Sequence, residues 1–527
     1  MSVAKSFAIS LLGLAGTLIE IEAEISSNLP SFVLVGLPDA SLSESKDRVR
    51  AAIQNSSLKM PARRVTVNLS PASVPKQGAS FDLSIAVAIL AATSEISNDS
   101  VRNYIHLGEL GLDGSVRSVA GVLPSLLSAK TLGFSRAIVP AANLAEAKLV
   151  SDIEVIGVHS LAEVANIHGA NLVIREPEQI AAPLLEPNLA ENSNLESLDI
   201  SDVLGQADAI RALTVAAAGG HHLLMVGPPG AGKTMLAERL PTLLPNLPLA
   251  QALETTAVLS IADHRRSAAV TLKGLVERPP FEAPHHSASV SSLVGGGVGL
   301  PRPGLISTAN NGVLFLDEAP EFQLPVLEAL RQPLESGEVL INRSAGTARF
   351  PAKFQLVLAA NPCPCGRSFG QARGCTCSEV AKRKYANKLS GPLLDRIDIR
   401  LAISAANAGQ MALDLEAAQE NQMTSKQLRQ QVQCARELSA DRLSATPWSL
   451  NVQVPGSYLR KQLRLAAEVT QPIDRALAKG KISMRGYDRC LRLAWSIADL
   501  AGFDQPRREH IVEAAYLRGS DSPMVGV

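Results

Sequence analysis

Eight consecutive residues have the types and spacing of a phosphate-binding loop. They are Gly227, Pro228, Pro229, Gly230, Ala231, Gly232, Lys233 and Thr234. A strand-like apolar run precedes them and a helix-like run follows, as the G-x-x-x-x-G-K-[ST] pattern requires. Glycines let the backbone N–H groups converge on phosphate oxygens at a helix N-terminus. We therefore predict that Lys233 reaches the β- and γ-phosphates of a nucleotide and that the Thr234 hydroxyl binds Mg²⁺.

Polar residues end two further apolar runs. Asp317 and Glu318 follow residues 312–316, and Asn361 follows residues 354–360. Two adjacent acids at a buried strand end are costly unless a metal or a reaction needs them. We predict that Asp317 holds Mg²⁺, that Glu318 polarises the attacking water, and that Asn361 senses the γ-phosphate or orients that water. Ligands of open α/β sheets bind beyond the carboxyl ends of the strands, where all three would lie.

Two arginines are candidates for completing the site. Arg396 sits between two acids, which fits either a surface ion pair worth about 0–1 kcal/mol or an arginine finger that reaches a neighbouring subunit's γ-phosphate. Arg485 falls in the first turn of a helix that Ser483 could cap. A cation there opposes the helix dipole, so an anion such as a phosphate is expected nearby. Arg489 and Arg492 are predicted to be charges on the helix surface.

Four of the six cysteines form two C-x-C pairs with nine residues between them. These are Cys363, Cys365, Cys375 and Cys377. In a cytosolic protein such a cluster favours a metal over disulfides, and tetrahedral Zn²⁺ accepts four thiolates. We predict a structural zinc site in the loop between Asn361 and Arg396. Because C-x-C is less usual than C-x-x-C, a set of reduced thiols is the alternative. Cys434 and Cys490 stand alone and are predicted to be buried.

Residues 338–350 predict a β-hairpin with its turn near residues 344–346. Arg343, Arg349 and Lys353 could contact DNA phosphates from it, which would give salt-sensitive binding. The alternative is a solvated hairpin, because 50 basic and 50 acidic residues leave the chain with no net charge and hence no large basic field. Aromatic residues make up only 3%, so base stacking is not the expected binding mode.

The 527 residues divide into three blocks and a linker. Residues 1–170 mix short strands and helices, 171–197 lack periodicity and read as a linker, 198–400 carry the nucleotide motifs, and 401–527 are mostly helical. Alternating apolar and acidic residues predict β structure for 1–25, with an export signal as the alternative. No apolar run reaches the ~20 residues that span a bilayer. We expect a cytoplasmic protein that does not enter the membrane.

The first block resembles Lon-type protease domains. The segment around Ser80 is similar to the loop that bears the Lon nucleophile. In the segment similar to the one that supplies the Lon lysine, Leu123 takes the lysine's place. A serine without a base is a poor nucleophile. The resemblance therefore implies a Lon-like fold without protease activity, unless Lys76 or Lys130 serves as the base.

Together these features resemble the YifB/ComM group of magnesium-chelatase-related AAA+ ATPases. Other similar blocks are residues 34–39, 48–52, 67–71, 202–206, 284–287, 361–366 and 390–398. The resemblance implies an α/β AAA+ P-loop NTPase core with a helical lid, preceded by a Lon-protease-like (ribosomal S5 domain 2-like) α+β domain. Its cofactors would be ATP and Mg²⁺. Leu305 and Asn310 stand where the family usually has a glutamate and a histidine.

The family also implies partners. ComM-type members look like hexameric DNA helicases that drive branch migration during integration of transforming DNA, with single-stranded or branched DNA as the substrate. A chelatase-like or protein-remodelling ATPase that acts on a protein partner is the alternative.

Overall fold

The computed structural model describes residues 2–36, 40–76, 78–174, 198–262, 274–297, 300–343, 346–368, 374–404 and 423–519. Most of the predicted linker 171–197 and the predicted hairpin turn at 344–345 lie outside these ranges. Within the ranges, no helix has the length and apolar character needed to cross a bilayer.

A seven-stranded mixed sheet organises the first part of the chain. β1 (Ser2–Leu12) and β2 (Ala15–Ser26) form an antiparallel hairpin, which confirms the predicted β structure. Ile19 and Ile21 are fully buried, whereas Glu20 between them pairs with Lys5. The other strands are β3 (Ser31–Val35), β4 (Arg64–Ser70), β5 (Ile105–His106), β6 (Glu109–Leu110), β7 (Val116–Arg117), β8 (Arg136–Pro140) and β9 (Glu154–Val158). The sheet order is β3-β4-β2-β1-β5-β8-β9, and β6 and β7 pair separately.

Helices cover this sheet. They are α1 (Ala40–Asn55), α2 (Asp82–Ala92), α3 (Asn98–Val101), α4 (Val122–Thr131), α5 (Leu144–Ala147) and α6 (Leu161–Ile167). Every residue of α2 is buried, including the Asp82 carboxylate, which accepts a hydrogen bond of 2.6 Å from Arg48 Nε. Because a buried charge is tolerated only when it is paired, Arg48 ties α1 to the central helix.

A second sheet has five parallel strands in the order β11-β14-β17-β10-β18. Its strands are β10 (Leu223–Val226), β11 (Phe281–Glu282), β14 (Val313–Leu316), β17 (Gln355–Ala360) and β18 (Ile399–Ala402). Outside this sheet, β12 (Gly295–Gly296) pairs with β13 (Arg302–Pro303), and β15 (Glu338–Arg343) pairs with β16 (Gly346–Pro351). The predicted apolar runs are thus strands β10, β14 and β17, and every residue in them is buried, as expected of a parallel sheet covered on both faces. The predicted α/β class with a parallel sheet is confirmed.

The remaining helices pack on the two faces of this sheet. They are α7 (Ala207–Gly219), α8 (Lys233–Leu243), α9 (Leu249–Ile261), α10 (Val290–Val294), α11 (Leu305–Thr308), α12 (Leu324–Ala329), α13 (Pro333–Ser336), α14 (Glu379–Ala386), α15 (Gly391–Leu394), α16 (Ser425–Arg442), α17 (Gly456–Lys461), α18 (Ala467–Ala478), α19 (Met484–Leu500) and α20 (Arg508–Leu517). Helices α16 to α20 share one apolar core with α7, α8 and the sheet. Ser483 caps α19 as predicted, since its side chain accepts from Gly486 N at 3.2 Å.

The N-terminal domain packs directly on the second domain. Ala257 of α9 is buried in an N-terminal apolar cluster, and Gly121 N donates to Ser260 O at 3.0 Å. The tip of the β1–β2 hairpin meets the β15–β16 hairpin, because a Cβ placed on Gly13 would lie 2.6 Å from Arg349 O. The N-terminal domain is therefore in contact with the hairpin that carries the predicted DNA-binding cations.

The hairpin contact can be tested with two glycines that both have a left-handed backbone, Gly13 (φ +66°) and Gly133 (φ +89°). An alanine in that conformation costs about 1–2 kcal/mol at either position. Only at Gly13 does the new methyl group collide with the β15–β16 hairpin, whereas nothing lies within 4 Å at Gly133. We expect Gly13→Ala to lower the melting temperature clearly more than Gly133→Ala, measured by calorimetry. Equal losses would mean that the hairpin contact contributes nothing.

Candidate nucleotide-binding site

The phosphate loop has the backbone that its glycines predict. Gly230 and Gly232 adopt φ values of +75° and +80°, in the left-handed region that favours glycine, and Gly232 is the N-cap of α8. At Gly227 a Cβ would lie 2.3 Å from Ile403 O. The loop therefore joins the end of β10 to the start of α8 in a conformation that larger residues would disrupt.

Lys233 is brought together with Asn361, as predicted. Its ammonium group donates to Gly227 O at 2.8 Å, to Pro228 O at 2.9 Å and to Asn361 Oδ1 at 3.2 Å. Burial lowers the pKa of Lys233, and the nearby carboxylates of Asp317 and Glu318 oppose that effect. A buried cation held only by neutral acceptors has a strong electrostatic preference for an anion such as a phosphate.

Thr234 and Asp317 also meet. The Thr234 hydroxyl donates to Asp317 Oδ2 at 2.7 Å, and the other carboxylate oxygen accepts from Glu318 N at 2.8 Å. Glu318 itself adopts φ +48°, which is uncommon for a residue with a side chain and typical of functional sites. A hydroxyl and a carboxylate oxygen at this spacing could share a Mg²⁺ ion, while the Glu318 carboxylate stays half exposed beside them.

Two side chains that were not predicted to belong to this site contact it. His286 Nδ1 lies 3.8 Å from Glu318 Oε2, and Gln206 Nε2 donates to Ala231 O of the phosphate loop at 2.7 Å. Both belong to sequence blocks 202–206 and 284–287. The family resemblance of those blocks was the signal that could have pointed to them, because nothing in their local spacing places them beside the loop.

The four clustered cysteines lie together. All four sulfur atoms are within 4.8 Å of one another, and Cys363 Sγ is 3.4 Å from Cys365 Sγ and 3.8 Å from Cys375 Sγ. Zn–S bonds of about 2.3 Å in a tetrahedron place sulfurs about 3.8 Å apart. A hydrogen bond from the backbone N–H of Arg367 is the main cause that lowers the pKa of Cys365 to about 6. The cluster, whose fourth member is Cys377, could thus bind a tetrahedral metal such as zinc.

This cysteine loop rests on the phosphate loop. Gly366, with φ +74°, approaches so closely that a Cβ there would lie 2.6 Å from Pro229 Cδ. Cys363 also follows Asn361 by only two residues. The position of the cysteine loop is therefore linked to both the phosphate loop and the end of β17.

The two isolated cysteines differ. Cys490 is buried as predicted, and burial raises its pKa to about 11. The prediction for Cys434 was wrong, because this residue lies on the exposed side of α16.

The two predicted catalytic arginines lie in the same region of the molecule, and this region is away from the phosphate loop. Arg396 contacts Glu335 and donates to Pro392 O at 2.5 Å. Arg485 Nη1, largely exposed, lies 3.4 Å from Asp395 Oδ2. Both arginines flank the segment that enters β18, whereas Lys233, Thr234, Asp317 and Asn361 follow the ends of strands parallel to it. They therefore occupy the end of the sheet opposite to the phosphate loop of the same chain.

The prediction that Arg489 and Arg492 are surface charges was wrong. Arg489 pairs with the buried Asp398 and donates to Arg396 O at 3.1 Å. Arg492 Nε donates to Val454 O at 2.8 Å. Beyond its first turn, helix α19 is packed against α7, α16, α18 and α20, so the side chains of Arg489 and Arg492 are largely covered.

Asp398 is the charged centre of this region. Its side chain has no exposed surface. Burial acts to raise the pKa of this carboxyl, but Arg489 and His221, whose Nδ1 lies 3.3 Å away, outweigh burial and hold the pKa well below its usual range. The carboxylate is thus ionised and compensated inside the protein.

The predicted hairpin is confirmed as β15 and β16. Arg343 is exposed at its end, and the Arg349 side chain is 71% exposed with Glu338 Oε1 at 3.8 Å. Lys353 Nζ, just past the hairpin, lies 3.6 Å from Glu254 Oε1. All three cations are accessible, and two of them already have an acidic neighbour.

Leu305 and Asn310 have structural roles. Leu305 is part of the apolar core. Asn310 is fully buried, donates to Glu254 Oε2 at 2.9 Å and accepts from Lys353 N at 2.9 Å. These contacts position α9 against the start of β17.

Lys76 and Lys130, the two candidate bases for Ser80, are engaged in other contacts. Lys76 is fully buried and donates to the carbonyl oxygens of Gly36 (3.1 Å) and Pro71. Lys130 Nζ contacts Asp152 at 2.8 Å on the surface. The side chain of Leu123 is fully buried. The absence of protease activity stays a prediction.

Comparison with known proteins decides the family. Residues 199–411 match the family described as "Magnesium chelatase, subunit ChlI", residues 21–143 match "Subunit ChlI of Mg-chelatase", and residues 422–518 match its C-terminal region. The competence protein ComM of Haemophilus influenzae is 40% identical, with 98% of this chain and 97% of ComM covered. The chain belongs to the YifB/ComM family of magnesium-chelatase-like proteins.

Other relatives agree. YifB of Escherichia coli is 38% identical over 98% of this chain and 96% of its own length. An uncharacterised protein of Mycobacterium tuberculosis is 46% identical, with 98% and 99% covered. The magnesium-chelatase 38 kDa subunit of Rhodobacter capsulatus is 28% identical over 34% of this chain. Membership of this magnesium-chelatase-like AAA+ family suggests ATPase activity, which agrees with the geometry around Lys233 and Asp317.

Acid stability tests the Asp398 cluster. Because folding lowers the pKa of Asp398, its stabilising contribution is complete above the unfolded pKa of about 3.9 and is lost as the pH falls below that value. Asp398→Asn should lower the free energy of unfolding by about 3–5 kcal/mol at pH 7, since buried cations lose their partner. The stability of this variant should also fall less steeply than that of wild type between pH 5 and pH 2. The matched control is Asp395→Asn, at a half-exposed carboxylate. Thermal melts across pH that coincide for wild type and Asp398→Asn would contradict this account.

Proposed function

We propose that this YifB/ComM protein is a cytoplasmic, ATP-driven DNA motor: a ComM-type hexameric helicase that promotes branch migration while transforming DNA is integrated. One observation carries the ATPase part. The phosphate loop with Asp317 and Glu318 and the arginines Arg396 and Arg485 lie at opposite ends of one parallel sheet. A subunit that supplies arginines to the neighbouring site, and receives them in turn, needs a ring or another repeating head-to-tail assembly.

The proposed ATP hydrolysis uses the side chains in and beside the phosphate loop. Lys233 and the loop N–H groups would bind the β- and γ-phosphates, Thr234 and Asp317 would hold Mg²⁺, and the Glu318 carboxylate would polarise the attacking water. Asn361 would sense the γ-phosphate or orient the water, and its Oδ1, which accepts from Lys233 Nζ at 3.2 Å, supports that proposal. The bound metal would supply charge neutralisation for the phosphates.

Arg396 and Arg485 would act across the subunit boundary. Arg396 now contacts Glu335, and Arg485 lies beside Asp395. Each would exchange that carboxylate for a phosphate of the adjacent subunit. An arginine finger contributes about 10³–10⁵ in rate, so the isolated chain should hydrolyse ATP very slowly.

DNA is proposed as the substrate on two grounds. The relative of 40% identity over nearly the full chain is named a competence protein, and Arg343, Arg349 and Lys353 are accessible on or beside one hairpin. Binding through phosphates alone would be independent of sequence and sensitive to salt.

Catalysis by Glu318 gives the direct test of the motor. Glu318→Gln removes the group that polarises water, so ATP turnover should fall about 10²–10⁴-fold while nucleotide binding persists, and strand exchange on a branched DNA substrate should stop. The control is Glu321→Gln, three residues on, whose carboxylate pairs with Lys388 at the surface. Wild-type ATPase without response to any form of DNA would favour a chelatase-like or protein-remodelling ATPase. Retained strand exchange in Glu318→Gln would refute the mechanism.

The cysteine cluster is proposed to hold a structural Zn²⁺. Cys375→Ser removes one of four thiolates and should lower the zinc content, measured by elemental analysis of the purified protein, from about one per chain to well below half. Cys434→Ser is the matched control, because that thiol is exposed and remote in sequence from the cluster. Undiminished zinc in Cys375→Ser would remove the assignment.

A further inference from the structure

Three partly buried guanidinium groups hold the segment that carries Arg396. Each donates to a backbone carbonyl of residues 394–397. The bonds are Arg400 Nη2 to Leu394 O at 2.9 Å, Arg489 Nη1 to Arg396 O at 3.1 Å and Arg518 Nη1 to Ile397 O at 2.9 Å. These arginines come from β18, α19 and the end of α20, so the segment is held from the sheet and from two C-terminal helices.

Arg489 differs from the other two because it binds a carboxylate of the segment as well as a backbone carbonyl, whereas Arg518 reaches only the carbonyl oxygens of Ile397 and Asp398. Besides the carbonyl of Arg396 it contacts the carboxylate of Asp398, two residues further on. Asp398 is fixed in turn by His221 Nδ1 at 3.3 Å and through its backbone N–H, which donates to His222 O at 3.1 Å. One side chain of α19 thus links the peptide of Arg396, through Asp398, to the residues that precede β10.

The same helix face reaches the second catalytic arginine. Arg485 precedes Arg489 by four residues, so the two lie one above the other on α19. Arg485 contacts Asp395 while Arg489 contacts Arg396 and Asp398. The C-terminal helices and the segment 395–398 are therefore joined by charged contacts along one helix face.

We propose that Arg489, through Asp398, is a positioning residue that sets the geometry of Arg396 for the ATP site of the neighbouring subunit. The inference rests on the proposed function, since it assumes that Arg396 acts in that site. Arg489 does not touch nucleotide in this arrangement: it lies with Arg396 at the opposite end of the sheet from the phosphate loop. Its effect must therefore appear in the adjacent subunit's turnover and not in its own nucleotide binding.

The expected loss of kcat follows from how accurately an arginine finger must be positioned. A displacement of about 1 Å of a catalytic group can cost about 10²-fold in rate. Arg489→Met should therefore lower kcat for ATP about 10²-fold and leave the Kd for a fluorescent ATP analogue within about twofold. Arg489→Lys, which keeps the charge but not the two-point contact, should recover part of kcat.

Mixed rings give the decisive measurement. Subunits with Lys233→Ala cannot bind nucleotide but still present an intact Arg396. In a random 1:1 mixture with Arg489→Met, about a quarter of the interfaces combine an intact phosphate loop with an intact finger. We expect ATPase activity of about a quarter of wild type, against about a hundredth for Arg489→Met alone.

Two parallel mixtures separate the possible failures. Arg396→Ala mixed with Lys233→Ala should regain activity in the same way; if it does not, Arg396 is no finger and the shared site falls together with this proposal. If that mixture recovers while the Arg489→Met mixture stays at the average of its components, only the positioning role is overturned.

Arg492→Met, a neighbouring buried arginine that bonds Val454 O, should keep kcat within about twofold. Should Arg489→Met fail to assemble, Arg489→Lys goes through the same mixtures.

Discussion

The five strands of the core sheet all run in the same direction, and the placement of every functional charge follows from this. The phosphate loop, Asp317 and Asn361 follow strand ends, whereas Asp398 and Arg396 precede a strand start. The strands next to these groups, β10, β14, β17 and β18, have four to six residues. At a rise of about 3.3 Å per residue, roughly 13–20 Å separates the two groups. No change of side-chain rotamer bridges that distance within one subunit. In the proposed function, the chain therefore contributes the phosphate loop to one site and the two arginines to another.

Buried ion pairs fix the remaining geometry. Asp82 pairs with Arg48 in the N-terminal domain, and Asp398 pairs with Arg489 between the sheet and α19. Such pairs contribute little net stability compared with apolar packing, yet breaking one partner is expensive. They therefore act mainly by allowing a single arrangement of the elements that they join.

Sequence patterns predicted the parts of the fold that depend on neighbours in the chain. The phosphate loop, the strands β14 and β17, the β15–β16 hairpin and the Ser483 cap are all local signals. The proximity of the four cysteines also followed from their spacing.

Contacts between distant segments could not be predicted in this way. Arg489 and Arg492 are covered because α19 is enclosed by other helices, which no periodicity within the helix reveals. Cys434 and Cys490 look alike in sequence and differ only in which side of a helix faces solvent. The meeting of His286 with Glu318, and of Gly13 with Arg349, depends on how elements dozens to hundreds of residues apart in the chain pack.

The contact of Gly366 with Pro229 has a consequence for how the protein matures in the cell. The cysteine loop leans on the phosphate loop with no space for even a methyl group between them. A newly made chain whose four cysteines have not yet bound the proposed metal would therefore lack one wall of the proposed nucleotide pocket. With the proposed Zn²⁺ site, metal supply and the shape of the nucleotide pocket would thus be linked through one contact between two loops.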